Sequence, residues 1–109
     1  MEISKSDWKL FHEKLPVWQE NYMESLVKDY TDFLSDKSQN ASDKFWELEK
    51  RIRQDKKHPG VMMELRKSEA IWDIVYLIRL KVVTYDDLED FSDNLKQEVK
   101  RIQEIHSGE

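Results

Sequence analysis

The chain of 109 residues carries a formal net charge of −5, with 39% hydrophobic and 38% charged residues, two glycines, two prolines and no cysteine. This composition excludes disulfides, cysteine-ligated metals, thiol nucleophiles and the glycine-rich loops that hold phosphates. It also disfavours turn-rich β architecture, because an average chain of this length has about thirteen glycines and prolines. We therefore expect one small all-α domain spanning residues 1–109.

The first predicted helix is the longest. Apolar residues recur in steps of three or four from Trp8 to Phe33, which predicts a helix of roughly 28 residues. Ser4 is expected to cap this helix, and Asp7 lies where the helix dipole favours negative charge. Pro16 lies inside the stripe, where proline removes a backbone hydrogen bond and clashes with the preceding turn. Because the apolar spacing keeps its phase across Pro16, it favours one kinked helix over two helices joined by a loop.

Two helices are predicted in the middle of the chain, after a polar loop at residues 35–42. The second helix is expected from about residue 43 to 57, and the turn 58–60 (HPG) ends it, because the residue before a proline avoids the α region. A third helix is expected over about residues 61–81, with the turn's proline next to its start.

The fourth helix has the clearest start signal. Thr84 precedes Asp87 by three residues, as in a capping box, and Val83 and Leu88 are placed as a hydrophobic staple. Apolar residues then continue at helical spacing to Ile105. With short connections between the later helices, the pattern predicts a small antiparallel four-helix bundle.

Targeting signals are not expected. The N-terminus lacks the apolar stretch of a secretory signal, and the most apolar segment, residues 70–83, contains three charges. That segment is too short and too polar to span a bilayer and is typical of a buried helix. We expect a cytoplasmic protein.

Residues for catalysis or metal binding are scattered. His12, His58 and His106 fall in three different predicted elements, and none has a second histidine at metal-ligand spacing. His12-Glu13 opens like a zincin motif, but Pro16 stands where the second histidine is required. We therefore expect no catalytic site, no metal and no cofactor.

Basic residues concentrate in the middle of the chain. Residues 44–67 hold eight Lys or Arg against four Asp or Glu, a balance of +4, while the segments before and after it have balances of −4 and −5. The candidate basic patch consists of Arg51, Arg53, Lys56, Lys57 and His58. Such a group is typical either of an anion site or of a basic helix end that complements the dipole before a stop sequence.

Acidic residues concentrate at the predicted start of the fourth helix. The candidate acidic interaction face consists of Asp86, Asp87, Glu89, Asp90 and Asp93. The helix dipole favours the first of these carboxylates, so a solvated helix face and a recognition surface both fit the pattern.

Tryptophan is abundant for a protein of this size, with four in 109 residues. Most aromatic residues lie on predicted core stripes, but a small bundle can hardly enclose four indoles. We expect Trp18 and Trp46 to be exposed as aromatic anchors for a partner.

Two blocks of the sequence carry a resemblance to a known family. Residues 43–52 (DKFWELEKRI) and 55–61 (DKKHPGV) resemble the central block of a family of small, uncharacterised bacterial cytosolic proteins, and residues 84–92 (TYDDLEDFS) are similar to its second block. The resemblance implies a stand-alone cytosolic domain and brings no activity or catalytic residue. In size and acidity only, the chain is also similar to mobile-element proteins that inhibit CRISPR effectors.

The leading hypothesis is a non-enzymatic helical interaction protein that binds a protein partner through its acidic face or its basic patch. An alternative is an inhibitor of a nucleic-acid-binding effector, such as an RNA-guided CRISPR nuclease, that occludes its basic channel. A second alternative is a small enzyme that uses His58. Direct nucleic-acid binding is not expected from an acidic chain, nor is membrane binding, and an apolar face left on the first helix would allow a homodimer.

Overall fold

A computed structural model describes residues 2–107, with side chains as far as Ile105, and contains four α-helices and no strand within those residues. The side chain of His106 lies outside the described part. The α-helices are α1 (Lys5–Leu34), α2 (Ala41–Asp55), α3 (Ala70–Arg79) and α4 (Asp93–Ser107), with short 3-10 helices at Lys67–Glu69 and Tyr85–Leu88. The prediction of an all-α protein is confirmed, and the antiparallel bundle stays a prediction.

The long first helix is confirmed as one continuous element that includes Pro16. Its start is the predicted one, because the backbone N–H of Asp7 donates to Oγ of Ser4 at 3.1 Å. Buried Phe11 and Leu15 lie on the turns before Pro16, so tertiary packing holds the helix where its own backbone hydrogen bonding is interrupted. The kink at Pro16 stays a prediction.

The third helix is shorter than predicted. Residues 61–66 are irregular, and α3 begins only at Ala70. From Val61 to Leu65 half-buried and exposed residues alternate, which is the period of extended backbone and not of a helix. The helix ends before Lys81, which adopts a left-handed φ of 63°. The backbone N–H of Val82 then donates to the Leu77 carbonyl at 2.9 Å, a Schellman ending in which lysine takes the position usual for glycine.

The fourth helix also begins later than predicted. The capping box of Thr84 and Asp87 is present, but it caps the 3-10 helix Tyr85–Leu88. Helix α4 has its own N-cap at Ser92, whose Oγ accepts from the backbone N–H of Leu95 at 3.2 Å. A similar small correction applies to α2, which starts at Ala41 because Asn40 already takes the extended N-cap backbone conformation.

Backbone contacts group the chain into two compact units: unit 1, with residues up to Trp18 and from Glu64 onward, and unit 2, Gln19–Met63. Helix α1 contributes its first part to unit 1 and its second part to unit 2. All the fully buried hydrophobic side chains of the described residues belong to unit 1. The largest of them are Phe11, Ile74, Leu77, Leu88, Val99 and Ile102.

A buried carboxylate joins two helix starts within unit 1. Asp7 is only 4% exposed, and its Oδ1 accepts from the backbone N–H of Ser92 at 3.0 Å. The Ser92 hydroxyl donates to Oδ2 of Asp7 at 2.5 Å, while the same Oγ caps α4. Both helix N-termini place their partial positive charge near this carboxylate. Asp7 therefore fixes the start of α1 against the start of α4.

We predict that Asp7→Ala lowers the free energy of unfolding by about 2–3 kcal/mol, because it leaves the Ser92 backbone N–H without its charged acceptor. Urea denaturation of Asp7→Ala, Ser92→Ala and the double variant measures the coupling. The double variant should lose clearly less stability than the two single losses added together. Asp43→Ala, which removes an exposed acid from the first turn of α2, is the control for losing a favourable interaction with a helix dipole. It should lower the free energy of unfolding by less than about 1 kcal/mol. Additive losses would contradict the shared network.

Candidate functional site

Within unit 2, polar and aromatic contacts hold α2 against the second part of α1. The Tyr30 hydroxyl donates a short hydrogen bond to the Asp55 carboxylate. The guanidinium of Arg51 lies 4.1 Å from the centre of the Phe33 ring, a cation–π contact. Burial, and then the hydrogen bond to Asp55, raise the pKa of Tyr30 to about 12, so its hydroxyl stays protonated at neutral pH. This side of α2 is used for intramolecular packing.

The candidate basic patch presents fewer free charges than its composition indicates. Arg51 pairs with Glu47 at 3.3 Å one turn earlier, and Arg53 forms a fork on the Glu49 carboxylate. The hydrogen bonds from Arg53 hold the pKa of Glu49 below its usual value, so this pair is fully ionised at neutral pH. Lys56 and Lys57, which follow α2 directly, are exposed. The positive charge that the patch offers to a partner is therefore concentrated at the C-terminal end of α2.

His58 has structural contacts in the turn after α2. Its ring stacks on Tyr22 with centroids 4.6 Å apart and planes within 5°. Its Nδ1 accepts from the backbone N–H of Gly60 at 3.0 Å, which requires that this nitrogen carries no proton. The Gln19 side-chain amide donates to the Pro59 carbonyl at 3.0 Å, which fixes the same turn. These contacts explain the position of His58 by its role in holding the turn. Neither a bound anion nor a catalytic role is needed to explain why a histidine lies there.

The candidate acidic face is exposed, but it is not one helix face. Asp86 and Asp87 belong to the 3-10 helix, whereas Asp93 begins α4, so the prediction of a single acidic face on the fourth helix is wrong. The chain turns between these elements, because the backbone N–H of Phe91 donates to the Leu88 carbonyl.

Several of these carboxylates already have partners in the chain. Asp87 accepts from the Thr84 backbone N–H at 2.7 Å. Asp90 pairs with Lys14 at 2.8 Å, and Asp93 lies 3.5 Å from the Lys96 amine. Glu89 is exposed. A regular array of free carboxylates, as a DNA mimic requires, is therefore not what this segment presents.

The two candidate aromatic anchors have different environments. Trp18 is only 7% exposed and packs against Phe11 and Phe91, with ring centroids 6.2 and 6.1 Å away. The prediction that Trp18 is an exposed anchor is wrong, because the core of unit 1 closes over it. Trp46 is 66% exposed and meets the ring of Phe45, itself 63% exposed, edge to face at 5.0 Å. Its role as an anchor stays a prediction.

The outer side of α2 carries a shallow groove that sequence reasoning missed. The groove has a volume of about 320 Å³ and is lined by Phe45, Leu48, Glu49, Ile52, Arg53 and Lys56, all from α2. No residue of α2 is fully buried. The spacing of Phe45, Leu48 and Ile52 in the sequence indicates one apolar side of α2. The same spacing is typical of a stripe that faces the core, so it does not identify an exposed groove.

Asp73, in the first turn of α3, is an acid whose pKa is raised, and it lies outside these surfaces. Burial, and then the negative charge of Glu69, raise the pKa of Asp73 to about 6. Burial is the larger cause of this shift, and a pKa that differs between the folded and unfolded states makes the stability of the fold depend on pH.

Comparison with known proteins found no family model, no curated protein and no solved structure that matches the chain. The resemblance to small bacterial proteins therefore stays a prediction. Within residues 2–107, none of the helices has the length and apolarity needed to cross a membrane.

We predict that Gly60→Ala lowers the free energy of unfolding by about 1–3 kcal/mol, because a Cβ at Gly60 would lie 2.6 Å from Cγ of Tyr22. The Tyr22 ring cannot easily withdraw, since it is stacked on His58. Urea denaturation monitored by circular dichroism measures the loss. Gln54→Ala, an exposed change in α2, is the control and should lie within about 0.5 kcal/mol of wild type. Equal stability of the two variants would contradict the close approach.

We predict that Asp73→Asn stabilises the protein at pH 7 and that this gain shrinks as the pH falls through 6 towards 4. The pKa of Asp73 is about 6 in the folded state, whereas an aspartate in the unfolded chain has a pKa of about 3.9. The folded state therefore binds this proton more tightly, and wild type loses the resulting stability as the pH rises from about 4 through 6. Urea denaturation at several pH values measures the difference.

Glu69→Gln provides the comparison for this prediction. It removes the smaller cause of the Asp73 shift and leaves the burial, so most of the pH dependence should remain. Parallel pH profiles for wild type and Asp73→Asn would show that Asp73 does not titrate in this range.

Proposed function

We propose that this chain is a non-enzymatic interaction protein that binds another protein through the exposed aromatic residues of α2. The observation that carries the proposal is the exposed aromatic pair Phe45 and Trp46, with 63% and 66% of their surfaces accessible. Large aromatic side chains are frequent energetic centres of protein interfaces, and their exposure in water is unfavourable without a partner.

The charges around this pair favour a protein partner over a nucleic acid. The net charge of the chain is −5, and Arg51 and Arg53 are each paired with a glutamate of α2. A nucleic-acid interface needs a continuous basic field, because phosphate contacts supply most of its affinity. A surface on which both arginines of α2 are paired, with exposed lysines around them, suits a protein interface with a polar rim.

The structure favours neither alternative hypothesis. The effector inhibitor would rely on the acidic segment, where Asp87, Asp90 and Asp93 have partners within the chain. An enzyme would rely on His58, whose Nδ1 is occupied by the Gly60 backbone N–H. Both remain hypotheses without a supporting observation.

We predict that Trp46→Ala and Phe45→Ala each weaken capture of the partner by roughly 30-fold or more, as expected when an interface loses a residue worth about 2 kcal/mol. The measurement is affinity capture from a lysate of the source organism with the tagged full chain, followed by titration of the recovered protein. Circular dichroism checks that each variant folds.

The matched control is Trp72→Ala, which removes a 48% exposed indole from α3. It should retain the partner with less than a threefold change in affinity. If all three variants capture the partner equally, the aromatic pair Phe45 and Trp46 is not part of the binding surface. If wild type retains nothing specific, the proposal of an interaction protein fails.

A further inference from the structure

The groove on α2 has the shape of a helix-packing site. Residues four apart form two parallel ridges, Phe45–Glu49–Arg53 on one side and Leu48–Ile52–Lys56 on the other. Helices pack by placing a ridge of one helix into such a groove of the other. The groove follows α2 through three turns, a length of roughly 16 Å at 1.5 Å per residue. An α-helix is therefore the occupant whose shape fits it.

The apolar part of the groove is available for packing. Phe45 is 63% and Ile52 37% exposed, and Leu48 between them is half-buried. The α2 side chains that contact Phe33 and Tyr30 of α1 are Arg51 and Asp55, and neither of them lines the groove. Docking of a partner would therefore bury these apolar side chains and leave the intramolecular contacts in place.

The polar part of the groove carries a net positive charge. The fork between Arg53 and Glu49 makes that pair neutral, so neither charge is left for a partner to compensate. Lys56 adds a positive charge at the end of the groove, and Lys57 follows it on the exposed surface. Charge complementarity therefore requires carboxylates from the occupant at this end.

We propose that this groove binds one amphipathic α-helix of a partner protein, with an apolar ridge between Phe45 and Ile52 and carboxylates against Lys56 and Lys57. The inference rests on the proposed function and adds the chemistry of the partner. The partner helix gains apolar burial along the groove and charge pairing at one end, which together fix its direction and register.

The experiment uses the full chain and two fluorescein-labelled 18-residue peptides that share one apolar pattern, a Leu/Ala/Glu peptide and its Leu/Ala/Lys counterpart. Fluorescence anisotropy at 50 mM and 300 mM salt measures binding. The acidic peptide should bind at least tenfold more tightly than the basic one at low salt, and the difference should shrink at high salt. Equal binding of the two peptides, or binding of neither, overturns the proposal.

Two variants locate the binding on the groove. Ile52→Ser should weaken binding of the acidic peptide at least tenfold. The double variant Lys56→Glu/Lys57→Glu should bind the basic peptide more tightly than the acidic one. Val27→Ser, at a 59% exposed position of α1, is the control and should change neither affinity. If Ile52→Ser and Val27→Ser bind the acidic peptide with the same affinity, the groove is not the binding site of the peptide.

Failure of this inference can be told apart from failure of the proposed function. If capture of a cellular partner depends on Phe45 and Trp46 while neither peptide binds, the proposed function is supported and the proposal of an acidic partner helix is overturned. If light scattering of the isolated chain shows a dimer that Ile52→Ser abolishes, the occupant is a second copy and the proposal is overturned.

Discussion

The hydrogen bonds around Asp7 are the interaction on which unit 1 depends. The side chain of Asp7, a residue only 4% exposed, hydrogen-bonds to the start of α4 from its place in the first turn of α1. A buried charge is costly unless it is fully hydrogen-bonded, and here two helix N-termini and a hydroxyl supply the compensation. With these starts fixed, Phe11 and Leu15 on α1 and Leu95 and Val99 on α4 are held in the core of the same unit.

Concentration of the core in unit 1 explains the nature of unit 2. Because the fully buried hydrophobic side chains of the described residues lie in unit 1, unit 2 is held by ring stacking, a cation–π contact and hydrogen bonds. Such contacts leave the rest of a helix surface accessible, and Phe45, Trp46 and Ile52 lie there. Segments with few buried apolar contacts are where binding surfaces can be kept open at little cost to the core.

Local signals in the sequence predicted the parts of the structure that depend on local chemistry. Ser4 as an N-cap and the capping box at Thr84 need only neighbouring residues, and both were found. The partner of Asp7 is 85 residues away, so no local pattern could assign it. The end of α3 was harder to predict from sequence, because Lys81 adopts the left-handed conformation for which glycine is the usual signal.

For the two tryptophans, apolar periodicity was the better indicator. Trp18 lies on the apolar stripe of the first helix, which predicts burial, whereas Trp46 lies beside the stripe of the second. The expectation that both are exposed came from the number of indoles in a small bundle, and for Trp18 it is wrong. The ends of α2 were predicted to within two residues, but which of its side chains contact α1 was not, since tertiary packing decides those contacts.

Electrostatics at the end of α2 also favours one direction for a bound helix. The carbonyl end of α2 carries the negative end of its dipole, and Lys56 and Lys57 lie beside it. Natural helices favour acidic residues in the first turn, so a partner helix that places its N-terminus there would bring carboxylates to the two lysines. Ion pairing with Lys56 and Lys57 thus favours an antiparallel partner helix.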